Sequence, residues 1–489
     1  MKFKILLLML FATGMYANNI EVSNISLTAQ NTTDNYTLVE FDLSWENSWR
    51  LSTGPSNYDG AWVFVKWRRV GDWKHATINY VDGTAANDGH TEAAGSTIKT
   101  TPDGVGVFIH RDADGSGDVN FQSIQLRWNY GSDLVQDDDV VEVQVYAIEM
   151  VYIPEGAYPL GATGNGAEVS HFYTNTSSTK FIYNVFSETT IIVSPAIGDL
   201  YYDSNNSSAP GDKLGPIGPD FPKGYDAFWS MKYELTEDQW ITFFNQLPSA
   251  QKSIHDITTG PNSKNSDLVV DRNTVSWTSG LATTSAPARA VSYLDYDDHA
   301  AYLDWAGLRF MTELEYEKMT KGPYHTDGMY ASGGTIASPV NYTIVNDGQE
   351  NALITNLEEG ITNINGFTQG VIGPLRVGIF AASATNPTRI ETGGSYYGVM
   401  ELSGNLYERL ISVGTPTNRA FMGDHGDGSL DANGQANVTN WPNDGAAAMR
   451  GGSFFDDSEQ LLVSDRTYAG SIFPTLVPII GARGGRTAE

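Results

Sequence analysis

The sequence contains no cysteine. That excludes disulfides, thiolate nucleophiles and thiol redox pairs, and any metal site that depends on cysteine sulfur. It also excludes a lipid-modified cysteine behind an export signal. Basic residues are scarce: 29 Lys and Arg face 58 Asp and Glu, a formal net charge of −29. A surface this acidic repels phosphate backbones and anionic lipid, which argues against nucleic acid and membrane surfaces as partners. Long apolar runs are missing except at the N-terminus, MKFKILLLMLFATGMYANN. There Lys2 and Lys4 precede an apolar stretch from Ile5 to Ala12, and Ala17 ends it before a polar run. The pattern reads as a secretory signal, residues 1–17, too short for a lasting membrane span. The expectation is an exported protein starting near Asn18, without membrane insertion after cleavage, in the periplasm, at the cell surface or outside the cell.

What is present bounds the architecture. A chain of 489 residues suits two or three compact units. Hydrophobic residues make up 40% and aromatics 11%, enough for real cores, while 50 glycines and 20 prolines call for many turns. From Ile20 to about Ala147 short aromatic and β-branched stretches alternate with polar residues, as in YTLVEFDLSW, AWVFVKWRRV, FQSIQLRWNY and VVEVQVYAIEM. This predicts an antiparallel β-sandwich over residues 18–147. Within it, Asp112, Asp114, Ser116 and Asp118 place oxygen side chains at alternate positions with Gly117 sixth, the opening of an EF-hand-type calcium loop. Ser123 stands where such a loop needs a bidentate Glu, so a plain acidic turn and a weak Ca²⁺ site are both open.

From Met150 the character changes to short helices among long Gly, Asn and Asp-rich connections. Thr236 with Gln239 predicts a capped helix to Leu247, closed by Pro248. Ser292 is the predicted cap of a second, reaching Trp305, and Thr312 with Glu315 predicts a third, ending near Lys321 before Gly322-Pro323. Arg309, Arg450, Arg466 and Arg483 are candidates to tie loops by bidentate pairing with buried carboxylates such as Glu315 or Glu408. The fold class expected is α+β.

Six stretches in order carry a family resemblance: MVYIPEGAYPLG (150–161), FPKGYDAFWSMKYELTEDQWITFFNQL (221–247), PARAVSYLDYDDHAAYLDWAGLRFMTELEYEKMTKG (287–322), GVMELSGNLYER (398–409), RGGSF (450–454) and GARGGR (481–486). Together residues 148–489 resemble the formylglycine-generating enzyme, or sulfatase-modifying factor, domain. The resemblance implies a loop-rich, C-type-lectin-like fold and structural calcium. One implied Ca²⁺ site uses Asn351, the Ala352 carbonyl, Asn365 and the Phe367 carbonyl, with Asn365 where the family often has Asp. The other uses Glu401, the carbonyls of Gly404 and Leu406, and Glu408, with Glu401 where a shorter Asp or Asn is usual.

In the enzymes of this family two cysteines, five residues apart and just after the R-G-G-S strand, bind copper(I) and activate oxygen. Alignment on Arg450 to Ser453 puts Asp456 and Leu461 at those two positions. Neither replaces a thiolate for copper(I), so no copper is expected and formylglycine formation by that route is excluded by residue chemistry. The eight histidines show no H-x₃-H or H-x-H pair; His425 with Asp424, Asp427 or Asp456 is the one conceivable substitute metal set.

Two functional readings follow. One is a non-catalytic binding or structural protein that presents loops to a glycan or protein at the cell surface, or assembles with itself or other exported proteins. The resemblance implies a Gram-negative, Bacteroidetes-like bacterium, where related cysteine-free domains recur in surface and motility machinery. Its contact candidates are Phe454, Phe455, Asp456, Asp457 and Tyr468, with Trp441 and Phe473. The other is an enzyme on the same fold with a replaced, non-thiol metal-dependent oxidative centre, using acids such as Asp456, Asp457 and Glu459.

Overall fold

The computed structural model of the chain describes residues 20–488 except 177–178, 203–210, 261–262, 335–340, 342, 359, 361, 367–369, 386, 443–446 and 471–476. The expected leader, residues 1–17, lies outside the described residues. Among the described residues no helix is long and apolar enough to cross a membrane.

The N-terminal part consists of Glu21–Asn31 (β1), Tyr36–Arg50 (β2), Tyr58–Arg68 (β3), Lys74–His75 (β4), Ser96–Thr100 (β5), Val107–Arg111 (β6), Gly115–Trp128 (β7) and Glu142–Ile153 (β8). Alternation along β2 turns Val39, Phe41, Leu43 and Trp45 to one side, as a period of two requires. β2 pairs antiparallel with β1 and with β7. β3 pairs with β8 along its length and also with β6, which pairs with β5. The two groups join only where Arg50 pairs with Tyr58. Ala61, Val63, Val65 and Trp67 of β3 meet the apolar face of β2 and β7 in one core, a sandwich-like arrangement.

β3 is buried on both faces. Its other set, Trp62 and Phe64, joins Tyr146, Ile148 and Met150 of β8 in a second core that belongs to the C-terminal part and includes Trp229, Trp240, Phe243, Tyr302 and Trp305. Continuous apolar character in a strand means burial on both sides, and WVFV is such a run. The sheet itself also continues across the two parts: the strand Phe228–Met231 pairs with the second half of β8 and with Gly485–Thr487. Position 147–148 therefore falls in the middle of β8.

The C-terminal part is loop-rich, with short strands and helices around this sheet extension. The helix Glu237–Gln246 starts on a capping box of Thr236 and Gln239, and Glu313–Lys321 on one of Thr312 and Glu315, as the sequence implies. The helix expected second runs Tyr296–Trp305 and its cap is Asp295, with Asp298 at the third position. This corrects the expected start at Ser292: Tyr293 takes a positive φ of 66°, incompatible with a helical turn, and Asp298 supplies the reciprocal bond that a Glu or Gln usually makes. The chain is thus a mixed α+β structure.

Candidate functional site

The stretch that resembles a catalytic segment begins on the strand Ala447–Arg450, paired with Glu408–Ile411. Gly451 and Gly452 follow at φ +86° and +68°, and a Cβ on Gly452 would come within 2.5 Å of the Leu461 side chain. Only glycine supplies both the conformation and the close approach. The turn they make carries Ser453, whose N and Oγ donate to the Asp456 carboxylate at 3.0 and 2.5 Å. Burial pushes the Asp456 carboxyl up, against the hydrogen bonds from Ser453. Leu461 is fully buried in an apolar cluster with Tyr330, Ile364 and Leu462. The two positions thus carry an oxygen acid, one oxygen of which is bonded within its own turn, and an isobutyl group in a core.

The remaining contact candidates separate in the structure. Phe454 is 1% exposed, in a core cluster with Tyr233, Met400 and Leu406, and so is not available to a partner. Phe455 is 53% exposed. Asp457 is exposed and accepts a hydrogen bond from Asn365 at 2.9 Å, and Glu459 is exposed too, whereas Asp456 turns inward. Tyr468 is half-buried, edge-on to Tyr407. Trp441 packs on Phe310 and donates to the Asp424 carbonyl. Phe473 lies outside the described residues. His425 accepts from the Thr487 N–H at 3.0 Å and faces Asp103 at 4.0 Å.

What fixes this loop system is a buried ionic network. Every residue of the helix Glu313–Lys321 is buried. Arg450 donates to Glu313 at 2.9 Å and to Glu317 at 2.8 Å. Arg466 grips Glu313 through Nε and Nη2 at 2.7 and 2.9 Å, and Lys321 bonds Glu317 at 2.6 Å. The Arg309–Glu315 pair is bidentate, at 3.0 and 2.7 Å, and Arg483 bonds Glu408 at 2.7 Å. The four arginines expected to tie loops do so. For Arg450 and Arg466 the partners are Glu313 and Glu317, which sequence reasoning missed. Despite burial, Lys321 and Arg450 hold the Glu317 carboxyl down to about 2.

The two implied calcium sets differ in what their oxygens do. Glu401 and Glu408 are buried, at 6% and 1% exposure. Each uses Oε1, taking the Gly378 N–H at 2.9 Å and Arg483 respectively, and each leaves Oε2 buried without a partner. A buried unpaired carboxylate oxygen is costly, and hard oxygens from a loop are what Ca²⁺ takes. This set, with the Gly404 and Leu406 carbonyls, fits the ion. Among the described residues the other set offers no such feature: Asn351 is exposed and Asn365 gives its amide to Asp457, while Phe367 lies outside the described residues. In the β6–β7 hairpin Asp114 accepts from Ser52 and Asp118 from the Asn47 N–H, while Ser116 pairs with Trp49 in the sheet and Asp112 precedes the turn. Among the described residues no group of three or more His, Asp or Glu is arranged to hold a metal; the set that fits relies on two carboxylates and backbone oxygen.

The family model of the sulfatase-modifying factor enzyme 1-like domain matches residues 184–474, more than half of the chain. No curated protein matches. The chain therefore belongs to the formylglycine-generating enzyme, or sulfatase-modifying factor, family, as a member that lacks both catalytic cysteines.

Proposed function

We propose that this is an exported, non-catalytic binding or structural protein, in which a C-type-lectin-like scaffold is kept while the oxidative chemistry is lost. The observation that carries the reading is the replacement of the two thiols by Asp456 and Leu461, the latter buried among Tyr330, Ile364 and Leu462. No soft ligand pair remains, and no cysteine elsewhere could supply one. The partner is a protein or glycan at the cell surface, or another copy or exported protein in an assembly. Phe455 and Asp457, exposed on the retained turn, are the residues it would meet.

Ca²⁺ is the proposed structural ion, held by Glu401, Glu408 and the Gly404 and Leu406 carbonyls. It would supply charge to the two unpaired carboxylate oxygens and take no part in a reaction. Elemental analysis of the purified protein tests the reading. Calcium near one equivalent without copper or iron is expected, together with a thermal midpoint that falls in chelator. Stoichiometric copper or iron would overturn it.

A further inference from the structure

Glu234 lies in the extended segment between the strand Phe228–Met231 and the Thr236 cap, and it is 1% exposed. Its Oε1 accepts the Leu406 N–H at 3.0 Å and its Oε2 accepts the Asn405 side-chain amide. It thereby clasps the peptide between the two backbone carbonyls proposed as cation ligands. Asn405 is held from its other end as well, since its Oδ1 accepts from Leu375 N at 2.8 Å and from Asn363 at 2.9 Å. The positive φ of 66° at Asn405 and of 86° at Gly404 gives the loop its tight reversal, a conformation that must be fixed by such contacts.

Glu234, Glu401 and Glu408 are all buried, and among the described residues only Arg483 forms an ion pair with any of them. Arg376 leaves Nε and Nη1 buried without a partner and pairs with none of the three. Both oxygens of Glu234 accept from N–H donors of the loop, so it acts on the site through hydrogen bonds to that backbone.

We infer that Glu234 is a positioning residue for a divalent cation in the 401–408 loop, setting the Gly404 and Leu406 carbonyls through its bonds to Asn405 and the Leu406 N–H. This rests on the cation reading of that loop. It also links the site to the sandwich. Two residues before Glu234, Lys232 bonds Glu149 of β8 at 3.0 Å and Asp59 of β3 at 3.4 Å, and its carbonyl accepts the Met400 N–H next to Glu401.

The test is calorimetric titration of the full protein with Ca²⁺ after chelator treatment, for the native chain and for Glu408→Gln and Glu234→Gln. Partners that orient metal ligands typically change affinity by about 10–100-fold. Expected are measurable native binding, loss in Glu408→Gln, and a Kd weakened by about 10–100-fold in Glu234→Gln. A purely structural Glu234 would lower the thermal midpoint without Ca²⁺ and leave Kd unchanged; an unchanged Kd overturns the inference. Absence of binding in the native chain overturns the cation reading itself, a separate result. Should Glu234→Gln fail to fold, Asn405→Ala removes the other half of the clasp, with a weakened Kd expected and an unchanged one again contradicting the role.

Discussion

The sandwich and the C-terminal body are built on different principles, although one sheet runs through both. The sandwich core is apolar and periodic: β2 alternates buried and half-exposed positions, and β7 meets it with Phe121, Ile124, Leu126 and Trp128. In the C-terminal body the helix Glu313–Lys321, sequence ELEYEKMTK, is buried at every position. Its glutamates pair with Arg450 and Arg466 from distant parts of the chain, with Arg309 just ahead of the helix, and with Lys321 of the helix itself. One part rests mainly on apolar area; the other adds to its own large apolar core a few buried ion pairs that also fix where the loops go.

The largest effect should come from breaking those ion pairs. Arg450→Ala removes a guanidinium shared by Glu313 and Glu317. Loss of one partner from a buried ionic network costs about 3–5 kcal/mol, measurable by urea unfolding. Arg450→Lys should recover little, because an ammonium cannot reach both carboxylates in a fork.

Acid should come next and should act mainly on the same network. The Glu317 carboxyl is held down to about 2, and Glu313 is lowered too, opposed in each case by burial but outweighed by Arg450 with Lys321 or Arg466. A depressed carboxyl contributes stability above its unfolded value, roughly 4.3, and loses it as pH falls toward 2. Burial pushes nearby Asp465 the other way, to about 6, so its contribution is lost as pH rises through that value. Glu317→Gln should therefore flatten the acid limb of unfolding free energy against pH while leaving the neutral limb in place. An acid limb as steep as the native one would show that the ion pairs contribute nothing.

The smallest effect belongs to the sandwich. Ile124→Val, in a fully buried site on β7, should cost about 0.5–1.5 kcal/mol with no change in pH dependence.

These two modes of construction also decide what the sequence made legible. Alternation announced β2 and β7, and the capping boxes at Thr236 and Thr312 announced two helix starts to the residue. The start at Asp295 was missed because Asp298 completes its box with an Asp, and Ser292 offered the more familiar cap. Glu313 and Glu317 were missed because a helix dense in Glu and Lys reads as solvated; nothing local says that Arg450 and Arg466, more than a hundred residues on, will arrive to pair them. The seam had a local signal in the unbroken run of Trp62 to Val65. The strand that extends β8, Phe228–Met231, had none, since its pairing is a long-range fact. Within the candidate site, the loss of both thiols was plain from composition. The separation of Phe454 from Phe455 depends on how the two-glycine turn faces.

The proposal that the scaffold is kept while the copper chemistry is lost is tested most directly by oxygen consumption. The purified protein would be supplied with copper(I) and a cysteine-containing peptide in an oxygen electrode, alongside the same mixture without protein. The expected result is no protein-dependent uptake and no loss of the peptide thiol beyond the copper blank. Catalytic uptake that scales with protein and converts the cysteine to an aldehyde would contradict the account.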